Sequence, residues 1–202
     1  MLMRRGRGAA TTVLAPVAAV LLRLGVRPDA VTVVGTVGVV AGALLLFPRG
    51  ELWWGSVVVG LFALCDVVDG VMARLSGTAG PWGGYLDSTL DRVADGAVLG
   101  GLAVWFLGTG GRPLDGYLAL GCLVVGSVVS YARARAGSFG WEVTGGLAER
   151  ADRLVWVLVA TGLTGLFLPA WVLTAVLALV LAASTVTVAQ RMTAARRQAL
   201  LG

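Results

Sequence analysis

Apolar runs of close to a bilayer's thickness recur along the whole chain, separated by short breaks rich in glycine, proline and arginine. A helix needs about 20 mainly apolar residues to cross the hydrocarbon core. By that measure the pattern predicts six helical spans. The first covers about 31–47 and ends at Pro48-Arg49-Gly50. The others cover about 52–74, 83–107, 114–135, 154–168 and 170–191. The segments "SGTAGPWGG" and "GTGGRP" read as tight connections. A longer one, "AGSFGWEVTGGLAERAD", joins the fourth and fifth spans. The expected fold is an all-α integral membrane protein of six transmembrane helices. It divides into residues 1–30, a bundle at 31–191 and a basic tail at 192–202.

The opening "MLMRRGRGAATTVLAPVAAVLLRLG" imitates a secretory leader, with arginines before an apolar stretch. Pro16 interrupts that stretch, Arg23 and Arg27 close it, and a span follows at once. A short amphipathic juxtamembrane helix is the expectation.

Composition agrees with the pattern. Of 202 residues 57% are hydrophobic and 13% charged, with mean hydropathy +0.87, whereas soluble domains carry about 25% charged residues. All 16 basic residues are arginine and histidine is absent, which excludes imidazole catalysis and His-built metal sites. Cys65 and Cys122 stand in apolar runs without ligand spacing and read as small core residues.

Arginine placement predicts orientation. Six spans put both termini and the loops after spans two and four on one side. Arg4, Arg5, Arg7, Arg23, Arg27, Arg74, Arg133, Arg135, Arg150, Arg153, Arg191, Arg196 and Arg197 fall there, while Arg49 and Arg112 fall opposite. The rich side is therefore expected to be cytoplasmic, with both termini in the cytoplasm of a cell bearing this protein in its inner membrane. Trp53, Trp54, Trp105 and Trp171 fall at span ends, as interfacial residues do. Gly38 with Gly42, and Gly96 with Gly100, are small pairs suited to close helix contact, inside the bundle or in a dimer.

Against this background the acids of "CDVVDGVMARLSGTAGPWGGYLDSTLDR" stand out. Helical spacing puts Asp66, Asp69, Gly70 and Ala73 on one face, and Gly83, Asp87, Asp91 and Asp95 on another. Each face is a charged notch opened by residues with almost no side chain. A lone charge at the bilayer centre costs about 2.5–3.5 kcal/mol on the lenient scales. Divalent cations resolve that cost, and an all-oxygen donor set without His or Cys favours Mg²⁺ or Mn²⁺. Two ions bridged by Asp66, Asp69, Asp87 and Asp91 would clamp a diphosphate. Two readings compete: structural pairing with Arg74 or Arg92, and an ion or proton pathway.

Written out, the segment is Asp66-x2-Asp69-Gly70-x2-Ala73-Arg74-x8-Gly83-x3-Asp87-x3-Asp91. It resembles, position for position, the signature of the CDP-alcohol phosphatidyltransferases. The resemblance implies a six-span bundle that transfers a phosphatidyl group from CDP-diacylglycerol to an alcohol and releases CMP. It implies that Asp66, Asp69 and Asp87 bind metal, and that Asp91 is both general base and ligand. Gly70 and Ala73 would let the cytidine approach, with Arg74 on phosphate oxygens. Upstream, "RPDAVT" opens the first span and is similar to the family's nucleotide-binding motif, which makes Asp29, Ala30, Val31 and Thr32 contacts for CDP-diacylglycerol. In the following loop Gly80 holds a place associated with a threonine, for which Thr78 is the substitute.

The acceptor is read from arginines. "SVVSYARARAG", "GGLAERADRL" and "VAQRMTAARR" end neighbouring spans at one membrane face, and so many cations suit a phosphorylated alcohol better than a neutral one. Within the family these segments resemble the actinobacterial phosphatidylinositol phosphate synthases. That likeness implies a myo-inositol phosphate acceptor and a homodimer, with Ser130, Arg133, Arg135, Arg153 and Arg191 as acceptor contacts. Relatives often carry lysine where Arg133 stands. Glycerol 3-phosphate, and so phosphatidylglycerophosphate synthase, is the alternative acceptor reading. A metal-ion carrier or channel is the alternative of another class.

Overall fold

A computed structural model describes residues 14–143, 145–147 and 149–200. Arg4, Arg5, Arg7 and the start of the juxtamembrane segment lie outside them. Among the described residues eight α-helices follow one another: α1 (Leu14–Arg23), then α2 (Pro28–Leu46), α3 (Leu52–Ala63), α4 (Cys65–Leu75), α5 (Pro81–Leu107), α6 (Pro113–Gly137), α7 (Arg150–Leu166) and α8 (Ala170–Ala199). Four stretches are long and apolar enough to cross a membrane: Pro28–Arg49, Leu52–Leu75, Pro113–Gly137 and Ala170–Ala199. α5, at 27 residues, is long enough but carries four charges between Asp87 and Asp95. α7 has 17 residues and opens on Arg150 and Arg153.

The expected second span is two helices. At Leu64 the backbone tightens, with its N–H donating to the Leu61 carbonyl, and the helix restarts as α4. Contacts between neighbours close a ring in the order α2, α3, α7, α8, α6, α5 and back to α2. Inside it lie Val39, Phe47, Leu52, Val59, Val98, Leu102, Phe106, Leu173 and Leu177. In lipid no hydrophobic force draws helices together, so close packing must do so. A Cβ on Gly101 would stand 2.6 Å from the Ala43 carbonyl oxygen, and one on Gly35 2.6 Å from Cys65 Cβ. We expect Gly101→Val to push α2 from α5 and cost about 1–3 kcal/mol, read as a lower melting temperature in detergent.

The glycine pairs separate here. Gly38 and Gly42 pack inside, against Phe62 and Val58, whereas Gly96 and Gly100 face open space. Trp54 and Trp171 point outward as interfacial residues do, while Trp105 packs on Phe106.

α4 is amphipathic in the way that matters for the site. Val68, Val71 and Met72 are buried against α1, together with Leu14, Leu21 and Leu22. α1 thus covers the apolar side of α4 and leaves the acids facing the bundle. At the far end of the bundle Asp115 is buried and ion-paired with Arg112. Arg112 also donates to Thr174 Oγ1 at 2.9 Å, which ties α6 to α8.

Candidate active site

α4 and α5 bring their acids together. One carboxylate oxygen from each of Asp66, Asp87 and Asp91 lies within 4.8 Å of the others. Asp69, one turn further along α4, is 7% exposed and stands outside that group. Thr32 is within hydrogen-bonding reach of Asp69, yet Asp69 Oδ2 is buried without a partner among the described residues. A buried carboxylate oxygen without a donor costs free energy, and a cation would satisfy it. Oxygen-only donors, three of them converging, fit a hard divalent ion.

Two clefts open on either side of this cluster. The first is lined by Arg27 just before α2 and by Pro28, Asp29 and Thr32 from it, by Asp66, Asp69, Gly70, Ala73 and Arg74 from α4, and by Thr78, Gly80, Gly83 and Asp87 around the start of α5. Of the residues expected at CDP-diacylglycerol, only Ala30 and Val31 are absent from its wall. Val31 packs into the α1–α4 cluster, and the N–H groups of Ala30 and Val31 both turn back to the Arg27 carbonyl, at 3.1 and 3.4 Å. Asp29 stands in the first turn of α2, whose N-cap Arg27 makes no side-chain cap bond; its carboxylate accepts from Trp82 Nε1 at 3.0 Å, which straps α2 to α5. Thr78 and Gly80 share the wall, and a 2.8 Å hydrogen bond to Ser76 steadies the Thr78 hydroxyl.

The second cleft is cationic. Arg92, Ser130, Arg133, Arg150, Arg153 and Arg191 line it, and Asp66, Asp87 and Asp91 form its far wall. Arg153 is 8% exposed and Arg191 6%. Arg191 also braces the cleft: Nη1 donates to the Val129 carbonyl at 2.6 Å, and Nε and Nη2 to that of Gly145 at 3.4 Å. Arg135 is not brought to this cleft. It turns outward, donates to Ser138 Oγ at 3.2 Å and lies 4.4 Å over the Phe139 ring.

Three residues join the site that sequence reasoning left out of it. Arg150 stands 2.7 Å from Asp91, Arg92 pairs with Asp91 at 3.6 Å and with Asp95 at 3.3 Å, and Arg92 donates to Ser130 Oγ. The structural pairing weighed for Arg92 is therefore present, while Arg74 forms no ion pair among the described residues. Asp95 was visible as the next step of the four-residue ladder on α5. Arg150 was expected among the arginines gathered at this membrane face, but nothing local marked its contact with Asp91.

A family profile for CDP-alcohol phosphatidyltransferases matches residues 25–144. The phosphatidylinositol phosphate synthase of Streptomyces avermitilis is 53% identical over 167 residues, which is 82% of this chain and 68% of that one. The synthase of Mycolicibacterium smegmatis is 46% identical over 183 residues, 90% and 82% of the two chains. A crystal structure of Mycobacterium tuberculosis phosphatidylinositol phosphate synthase with CDP-DAG bound has TM-score 0.86 and 41% identity, covering 91% of this chain and 94% of that one. Another, in complex with manganese and citrate, has the same TM-score and identity over 90% and 88%.

Proposed function

The chain belongs to the CDP-alcohol phosphatidyltransferase family, and we propose that its site makes phosphatidylinositol phosphate and CMP from CDP-diacylglycerol and myo-inositol phosphate. It is a multi-pass membrane enzyme. One observation carries this reading: the two clefts share Asp66 and Asp87, so a nucleotide-activated lipid and a phosphorylated alcohol meet at the same carboxylates.

Gly70, Ala73 and Gly83 leave room for the cytidine, Arg74 and Arg27 face its phosphates, and the acyl tails run into lipid. Arg133, Arg153 and Arg191 hold the acceptor phosphate, with Ser130 and Arg92 beside it. Asp91, on the acceptor side, takes the proton of the attacking hydroxyl. That oxygen bonds to the phosphorus carrying diacylglycerol, the bond from that phosphorus to the bridging oxygen breaks, and CMP leaves with the electron pair. Mg²⁺ or Mn²⁺, two ions held by Asp66, Asp69, Asp87 and Asp91, would supply the positive charge that neutralises the diphosphate.

The finer architecture follows the same reading. The ring makes six spans of the bilayer, α3 continuing into α4 and α5 and α7 included, with α1 at the interface as a juxtamembrane helix. The arginine-rich end and both termini face the cytoplasm, where the soluble acceptor is. Residues 31–191 form the catalytic bundle, and the open Gly96–Gly100 face of α5 suits the contact of a homodimer.

Purified protein supplied with CDP-diacylglycerol and Mn²⁺ tests the acceptor. CMP release is expected with inositol phosphate and not with free inositol. Faster release with glycerol 3-phosphate would move the chain to the phosphatidylglycerophosphate synthases. Arg153→Ala is expected to raise the acceptor KM at least about tenfold, the loss of a charge-assisted phosphate contact, and to leave the CDP-diacylglycerol KM within about twofold. Arg191→Ala should also lower the melting temperature, because its guanidinium joins α8 to two backbone carbonyls.

A further inference from the structure

Arg150 is the first residue of α7, and its side chain leaves the acceptor cleft for the carboxylates. Nη1 lies 2.7 Å from Asp91 Oδ1 and 3.9 Å from Asp66 Oδ2, while Nε lies 3.2 Å from Asp95 Oδ1. One planar guanidinium therefore meets two of the three carboxylates that converge within 4.8 Å, and a third, Asp95, holds it from outside that group. Donors fixed in a rigid fork and aimed at different acids set an orientation that a flexible ammonium does not. Asp95 has no place on the acceptor cleft wall; it pairs with Arg150 and Arg92, and its charge also acts on Arg153.

We propose that Arg150, anchored by Asp95, is a positioning residue that orients Asp91 and couples metal affinity to the acceptor phosphate. The inference rests on the proposed function of the site. Arg150 draws on the same Asp66 and Asp91 oxygens as a divalent cation would, and two positive centres a few ångström apart repel. Without substrate, Arg150 therefore weakens cation binding. An acceptor phosphate among Arg133, Arg153 and Arg191 lies within the cleft that Arg150 also lines, and takes up part of its charge. By linkage, acceptor and cation then strengthen each other's binding.

The test is a Mn²⁺ titration of the full chain in lipid nanodiscs without either substrate, following the electron paramagnetic resonance of the free ion. Arg150→Gln is expected to bind Mn²⁺ about tenfold tighter, since a repelling unit charge is gone. Arg150→Lys, which keeps the charge, should stay within about twofold of the unaltered protein. In turnover, Arg150→Gln raises acceptor KM and lowers kcat, and Arg150→Lys restores KM but not kcat. Unchanged or weaker Mn²⁺ binding in Arg150→Gln, with normal binding by the parent, overturns the coupling and leaves the proposed function standing. No Mn²⁺ binding by the parent overturns both. Should Arg150→Gln not fold, Asp95→Asn decides the positioning claim. It is expected to lower kcat about tenfold, by more than it changes acceptor KM, and an unchanged kcat sinks it.

Discussion

Asp91→Asn is expected to lower turnover by about 10²–10⁴-fold, the range a positioned general base supplies, with CDP-diacylglycerol binding largely kept. The substitution removes the proton acceptor on the acceptor side of the cluster and leaves the nucleotide cleft intact, because Asp91 is absent from that wall. Folding should survive. Arg150 retains Asp95 at 3.2 Å, and Arg92 retains Asp95 at 3.3 Å, so neither cation is stranded. Single-turnover CMP release and equilibrium binding of CDP-diacylglycerol, measured on one preparation, check this. A kcat within tenfold of the parent, or parallel loss of binding and folding, would contradict the assignment of the base.

Removal of divalent cations has the other large effect. After treatment with a chelator, CMP release should fall at least about a thousandfold, consistent with the several kcal/mol a Lewis-acid ion contributes, and return on addition of Mn²⁺ or Mg²⁺. Asp66→Ala and Asp87→Ala should be equally inactive and should not recover at any accessible metal concentration. These two residues bound both clefts, so losing either disconnects donor from acceptor. Asp69→Ala is expected to differ. Its buried Oδ2 has no protein partner among the described residues, so removing it relieves an unsatisfied acceptor, and the protein should fold well while binding metal poorly. Full activity in chelated protein would end the metal reading altogether.

The two sets of residues at the site were legible to different degrees. Asp66 with Asp69, and Asp87 with Asp91, are three or four positions apart, and helical geometry places such neighbours on one face whatever the rest of the chain does. The first cleft is likewise built from adjacent segments, α2, α4 and the start of α5, so nearly all of its wall could be named in advance. The acceptor cleft collects α5, α6, α7 and α8. There the arginines were expected as a group, but their individual placement was not: Arg135 turns to Phe139, and Arg150 reaches Asp91 from 59 positions away. Both residues end or begin a helix, where one step of rotation decides which way a long side chain points.

By itself the sequence determined that this chain lives in a membrane, that its acids stand in two facing-ready ladders, and that a metal held by them would be ligated by oxygen without histidine. Hydropathy and helical period are local properties, written in residues a few positions apart. Only the tertiary structure decided which ladders meet, that one glycine pair is inside and the other outside, and that Arg150 stands between the converging acids and the cationic cleft. Those outcomes depend on the order in which six helices close a ring, and that order is set by how closely distant backbones can approach, as at Gly101 and Ala43.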